Sequence, residues 1–251
     1  MNTFLLHAET EFNAFKNTNE TYKKKVDELS LTFGLNRPYN LRNTELPTFW
    51  SGNLECRKEK IALVEINPQY DKKLMTSENS FRSSDWNNYM EFHNSSFLRF
   101  KNKREAPVKY YREVANALSG ENLRDNAHFD FLQKNVLRFE LIPYASSNFN
   151  TSILQAEADE YLYNRFTTEL LPFISQSRQV KKAIIHNKRM CNVLIEKDFI
   201  NSDNMIYVRM NKGRKHDFIY KKKFKGLELF IFSRQIPCGG FSKGEVYSNI
   251  S

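Results

Sequence analysis

The chain is poor in the residues that staple a fold, cradle a phosphate or anchor a protein in a membrane. Its three cysteines, Cys56, Cys191 and Cys238, stand far apart in 251 residues. An odd, scattered set offers no disulfide framework, and without a Cys-x-x-Cys pair or a His/Cys cluster it offers no zinc site. Buried or idle thiols in a reducing compartment are expected. Gly239-Gly240 lacks the spacing of a dinucleotide or P-loop fingerprint, which argues against a nucleotide-binding enzyme. No apolar run approaches the roughly 20 residues of a membrane helix. The N-terminus carries Glu9 and Glu11 and has no basic stretch leading into an apolar one, so it does not read as a secretory signal. These absences predict a cytoplasmic chain without membrane contact.

What the chain has is charge and rings. Lys and Arg number 38 against 29 Asp and Glu, a net +9, and there are 21 Phe and 12 Tyr. A positive surplus of this size favours a polyanionic partner, and aromatic rings serve for packing or for stacking on bases. The length fits one large α/β domain, with or without an N-terminal extension.

Periodicity supplies the elements. An interrupted apolar stripe (Phe4, Leu5, Phe12, Phe15, Tyr22, Val26, Leu29) predicts helix over residues 1–33, closed by Gly34 and Pro38. Short apolar runs rich in β-branched residues predict four buried strands: 61–66, 135–142, 181–187 and 227–233. Helices are predicted over 108–118, 156–174 and 190–196, whereas 201–217 reads as irregular. Residues 71–107 form a long polar and aromatic loop, and long loops in compact domains tend to be functional. Strands separated by helices argue for a three-layer α/β/α fold. Its centre would be a mostly parallel four-stranded sheet. An N-terminal helical extension (1–40) would precede the α/β domain (41–251).

Three of these strands run into proline with polar groups beside it: Asn67-Pro68, Glu140 before Pro143, and Arg234-Gln235 before Pro237. In a parallel sheet the carboxyl ends share one edge, where ligands bind, so residues remote in sequence can converge there. Each has an ordinary reading as well. Asn67 suits an Asx-type turn, and Glu140 could pair with a nearby Arg or Lys. Burying Glu140 within Val-Leu-Arg-Phe-Glu-Leu-Ile would be costly without a partner.

The segments Leu46 to Leu54 and Ile61 to Pro68, then Phe139-Glu140-Leu141-Ile142-Pro143-Tyr144-Ala145-Ser146-Ser147, and finally Phe232 to Ser242 follow a known layout. The chain resembles a divergent member of the uracil-DNA glycosylase superfamily. The match covers about residues 45–245, and its first two motifs are the specific ones. The resemblance implies a monofunctional DNA glycosylase that needs no cofactor or metal and flips its target nucleotide out of the helix. Asn67 would position the attacking water, and Arg234 or Gln235 would stabilise the departing base. Tyr70, with Phe81 and Phe97 of the aromatic loop, would lie beside the base. Backbone N–H groups at Gly239 and Gly240, with Ser242, would meet phosphates. Two departures stand out: the last loop has no His, and Glu140 occupies the base-reading place where uracil readers carry Asn. An ionised carboxylate only accepts hydrogen bonds, which suits the exocyclic amine of cytosine. A modified cytosine in foreign DNA, such as phage DNA in a defence role, is therefore expected ahead of uracil.

Lys212, Arg214, Lys215, Lys221, Lys222, Lys223 and Lys225 crowd the approach to the last strand. A solvated basic loop is one reading and contact with double- or single-stranded DNA by a monomer the other. The competing functional class is a catalytically inactive module of the same fold that binds DNA.

Overall fold

The computed structural model describes residues 3–17, 19–36, 39–55, 58–67, 84–99, 107–146, 149–210, 216–236 and 241–251. Helices α1 (Thr3–Asn17) and α2 (Asn19–Thr32) come first, then strands β1 (Trp50–Ser51) and β2 (Lys60–Glu65). Helices α3 (Trp86–Asn94), α4 (Ser96–Arg99), α5 (Pro107–Ser119) and α6 (Ala127–Asn135) precede β3 (Val136–Glu140). Then follow α7 (Ala156–Asn164), a π-helical turn (Arg165–Leu170) and α8 (Leu171–Gln176). Strand β4 (Val180–Ile185), α9 (Lys188–Glu196), β5 (Met205–Met210), β6 (His216–Phe224), β7 (Leu227–Phe232) and α10 (Lys243–Ile250) complete the chain.

The fold is α/β, and the four predicted strands are β2, β3, β4 and β7. Among the described residues the sheet has seven strands rather than four, in the order β1-β3-β2-β4-β7-β6-β5. Pairings of β4 with β2 and with β7 are parallel; β7 with β6 and β6 with β5 are antiparallel. The sheet is therefore mixed, a correction to the mostly parallel one expected. Two of the three extra strands, β5 and β6, fall where an irregular segment and a basic loop were expected. In β6 Lys221 and Lys222 point to opposite faces, as successive strand residues must. The Lys221 ammonium lies 5.0 Å from the Phe230 ring centre and pairs with Glu228. Lys222 lies over Phe199 and donates to its carbonyl. Long aliphatic stems thus cover apolar surface while the sequence reads as charged. Lys225 and Gly226 form the two-residue link to β7, both with positive φ (47° and 84°), as a tight type I′ hairpin requires.

The long loop predicted over 71–107 contains α3 and α4, while 71–83 and 100–106 lie outside the described residues. The helix predicted over 156–174 is a helical run whose middle turn is π.

The chain folds as two units. Unit 1 takes Met1–Trp50, Glu65–His93 and Phe139–Gln176; unit 2 takes Ser51–Val64, Asn94–Arg138 and Ser177–Ser251. Helices α1 and α2, expected as an extension over 1–40, lie in unit 1. Within it, the Phe4 ring stacks on Phe173 at 4.7 Å and meets Phe139 and Phe49 edge-on. Unit 2 has its own core, in which Phe97, Val114, Phe129, Phe230 and Phe232 are buried.

Candidate functional site

Asn67 follows β2 in unit 1. Its side-chain nitrogen donates to the carbonyls of Ile142 (3.3 Å) and Tyr144 (2.5 Å). Carbonyls only accept, so the NH2 must face them and the amide cannot be reversed. Its Oδ1 is left as an acceptor, buried and without a hydrogen-bond partner among the described residues. Such an oxygen can hold a water or an N–H, but an amide cannot remove a proton as a carboxylate would.

The segment after β3 that receives Asn67 is anchored along its length. Leu141 and Ile142 donate to the carbonyls of Glu65 and Ile66, and the Pro143 carbonyl accepts from Thr48. Arg42 donates to the Ala145 carbonyl, and the Ser146 hydroxyl to that of Tyr39. Glu140 ends β3 with 1% of its surface exposed. Asn67 and Glu140 thus both belong to unit 1, and the Asn67 amide bonds two and four residues beyond Glu140.

Beneath this segment lies a group of charges that the sequence reading missed. The Tyr144 hydroxyl donates to Glu11 Oε2 at 2.7 Å, and the Lys25 ammonium holds the other oxygen. Burial disfavours the Glu11 charge, yet hydrogen bonds from His7, Lys25 and Tyr144 outweigh it and bring its pKa down to about 2. His7 Nδ1 lies 2.8 Å from Glu169 Oε2. Burial works against charge on this ring too, but the carboxylates of Glu11 and Glu169 prevail and raise its pKa. Arg165, at the start of the π turn, pairs with Glu169 one turn on and lies over the rings of Phe4 and Phe49. One signal was available. Phe4, Ala8, Glu11 and Phe12 are the buried stripe of α1, so a carboxylate stood where the helical period called for an apolar residue.

The remaining candidates lie in unit 2. Arg234 Nε pairs with the buried carboxylate of Asp217, and Gln235 is exposed. Ile236 N–H donates to His186 Nδ1 at 3.0 Å, so the neutral ring carries its proton on Nε2. Ser242 caps α10: its hydroxyl accepts from Glu245 N–H while its own N–H donates to the Glu245 carboxylate. Lys223 is exposed, whereas Lys221 and Lys222 are engaged as described. Phe97 is 1% exposed, edge-on to Tyr111 in the core, so its ring is packing rather than a surface for a base. Tyr70, Phe81, Lys212, Arg214, Lys215, Gly239 and Gly240 lie outside the described residues. Among the described residues no three His, Cys, Asp or Glu side chains come together as metal ligands would, and no helix is long and apolar enough to cross a membrane. Comparison with protein-family models, with curated proteins and with solved structures found no match for this chain.

Proposed function

We propose that the chain is a DNA base glycosylase that hydrolyses the N-glycosidic bond of a flipped-out pyrimidine. The observation that carries this reading is Asn67: an amide held at a strand end by two main-chain carbonyls, its buried oxygen turned into an acceptor. That oxygen would take one O–H of a water and aim the water's lone pair at C1′. The C1′–O bond forms as the C1′–N bond breaks, the electron pair leaves with the base, and the proton shed by the attacking water passes through solvent to the base anion. Stabilising that anion is then the main electrostatic task. The family resemblance gives that task to Arg234, whose guanidinium pairs with the buried Asp217, or to Gln235. Glu140 would read the exocyclic amine of the base, which favours a modified cytosine over uracil. The exposed Lys223 would take a phosphate.

Strand order supports the reading. β2 lies between β3 and β4 in the sheet, although β3 and β4 both follow it in sequence. Such a reversal is where open α/β sheets bind ligands, outside the carboxyl ends of the strands. Asn67 follows that end of β2.

The test is incubation of the wild type and Asn67→Ala with duplexes and single strands containing uracil, cytosine, hydroxymethylcytosine or glucosylated hydroxymethylcytosine. Abasic sites at a modified cytosine, lost in Asn67→Ala, are expected. Release of uracil alone overturns the substrate assignment. DNA binding with no abasic product on any strand overturns the enzyme reading in favour of an inactive binding module.

A further inference from the structure

We propose that Tyr144 and Glu11 are positioning residues for Asn67 within unit 1. This rests on the reading of Asn67 given above, but the geometry on which it stands does not. Tyr144 is committed at both ends: its carbonyl takes the Asn67 amide at 2.5 Å and its hydroxyl donates to Glu11 at 2.7 Å. The direction of a carbonyl follows the rotation of its peptide plane. Anchoring the phenol of the same residue limits that rotation, and with it the direction in which Asn67 Oδ1 points.

The choice of anchor is informative. Tyr144 is 1% exposed and Glu11 is 3% exposed, so an ionised carboxylate sits where an apolar pair would pack at no electrostatic cost. A hydrogen bond to an ionised acceptor is shorter and roughly twice as strong as a neutral one. Among the described residues, His7, Lys25 and Tyr144 contact this carboxylate and favour its charged form. His7 comes from its own helix, Lys25 from α2, and Tyr144 from the segment after β3. His7 is itself held by Glu169 of the π turn, where Arg165 completes the pairing. The Tyr144 ring is braced at 6.0 Å by Tyr22, whose hydroxyl is tied to the Glu45 carbonyl. The cluster therefore spends buried charge on holding a single phenol still.

The variants are Tyr144→Phe, which keeps ring and carbonyl but removes the donor, and Glu11→Gln, which keeps an acceptor but removes the charge. The primary readout is the pair of Asn67 side-chain amide protons in 15N-edited NMR spectra, assigned by their loss in Asn67→Ala. In Tyr144→Phe both resonances should move and exchange with solvent faster, with Glu11→Gln between it and wild type. In excision assays kcat should fall about tenfold to a hundredfold with KM unchanged, the pattern of a misplaced reacting group. Folded variants that lose thermal stability while the Asn67 resonances stay in place reduce the pair to a structural role and overturn the proposal. Should Tyr144→Phe not fold, Glu11→Gln decides by the same spectra. A wild type without excision activity defeats the glycosylase reading, and the spectra still decide whether Tyr144 and Glu11 orient Asn67.

Discussion

Arg234 and Asp217 form an ion pair in which the guanidinium is 35% exposed and the carboxylate is at the 1% level. Removing Arg234 takes one partner from a buried charge, and that, more than loss of the pair itself, sets the cost. Solvent screening at the exposed guanidinium and the other interactions of Asp217 reduce it. Arg234→Ala should therefore lose about 2 kcal/mol in urea unfolding. Gln235→Ala next to it, being on the exposed surface, should leave stability within about 0.5 kcal/mol of wild type. Equal midpoints for the two variants would show that the pair does not hold the loop.

Asn67→Asp is not a conservative change here. A carboxylate would point an oxygen at the carbonyls of Ile142 and Tyr144, where the amide now donates. Asn67→Asp should be destabilised by about 1–3 kcal/mol at neutral pH and lie below Asn67→Ala. Its new carboxyl should titrate upward, because only the protonated form donates to a carbonyl. The deficit must then shrink as the pH is lowered below the folded pKa; a deficit that grows would contradict the assigned orientation. Urea titrations at neutral and acid pH measure it.

Glu11 makes acid stability dependent on its charge. A carboxyl with a folded pKa near 2 against an ordinary 4.5 contributes stability that is present above 4.5 and lost as the pH falls towards 2. Glu245, in the cap of α10, adds a contribution of the same sign with a pKa of about 2. His7 acts in the other direction: its pKa is raised from 6.5, so its contribution is complete below 6.5 and fades as the pH rises through the folded value. Glu11→Gln should thus fall below wild type near neutrality and converge with it on acidification. Chemical unfolding of both proteins across the pH range shows whether the curves meet.

Phe97 tests packing against recognition. Its ring lies within the core of unit 2, so Phe97→Ala should cost about 3–5 kcal/mol. DNA affinity, corrected for the folded fraction, should not change. A stable Phe97→Ala protein with weakened DNA binding would return this ring to the base pocket.

Local chemistry in the sequence determined the strands that carry the candidate site. Runs such as Ile61-Ala62-Leu63-Val64 are apolar without interruption because a strand covered on both faces needs no alternation, and proline marks where pairing must stop. The apolar stripe of α1 was legible for the same reason, since a helical face repeats within one turn. β6 was not, because Lys221 and Lys222 bury their stems and leave no apolar period. Nor could sequence show which way the Asn67 amide faces, that Glu11 holds Tyr144, or that Asp217 orients Arg234. The Asn67 acceptor lies 77 residues away and the Tyr144 partner 133. Only tertiary structure decides such pairings, because a buried polar group takes whatever donor or acceptor packing brings to it, and residue spacing does not encode that choice.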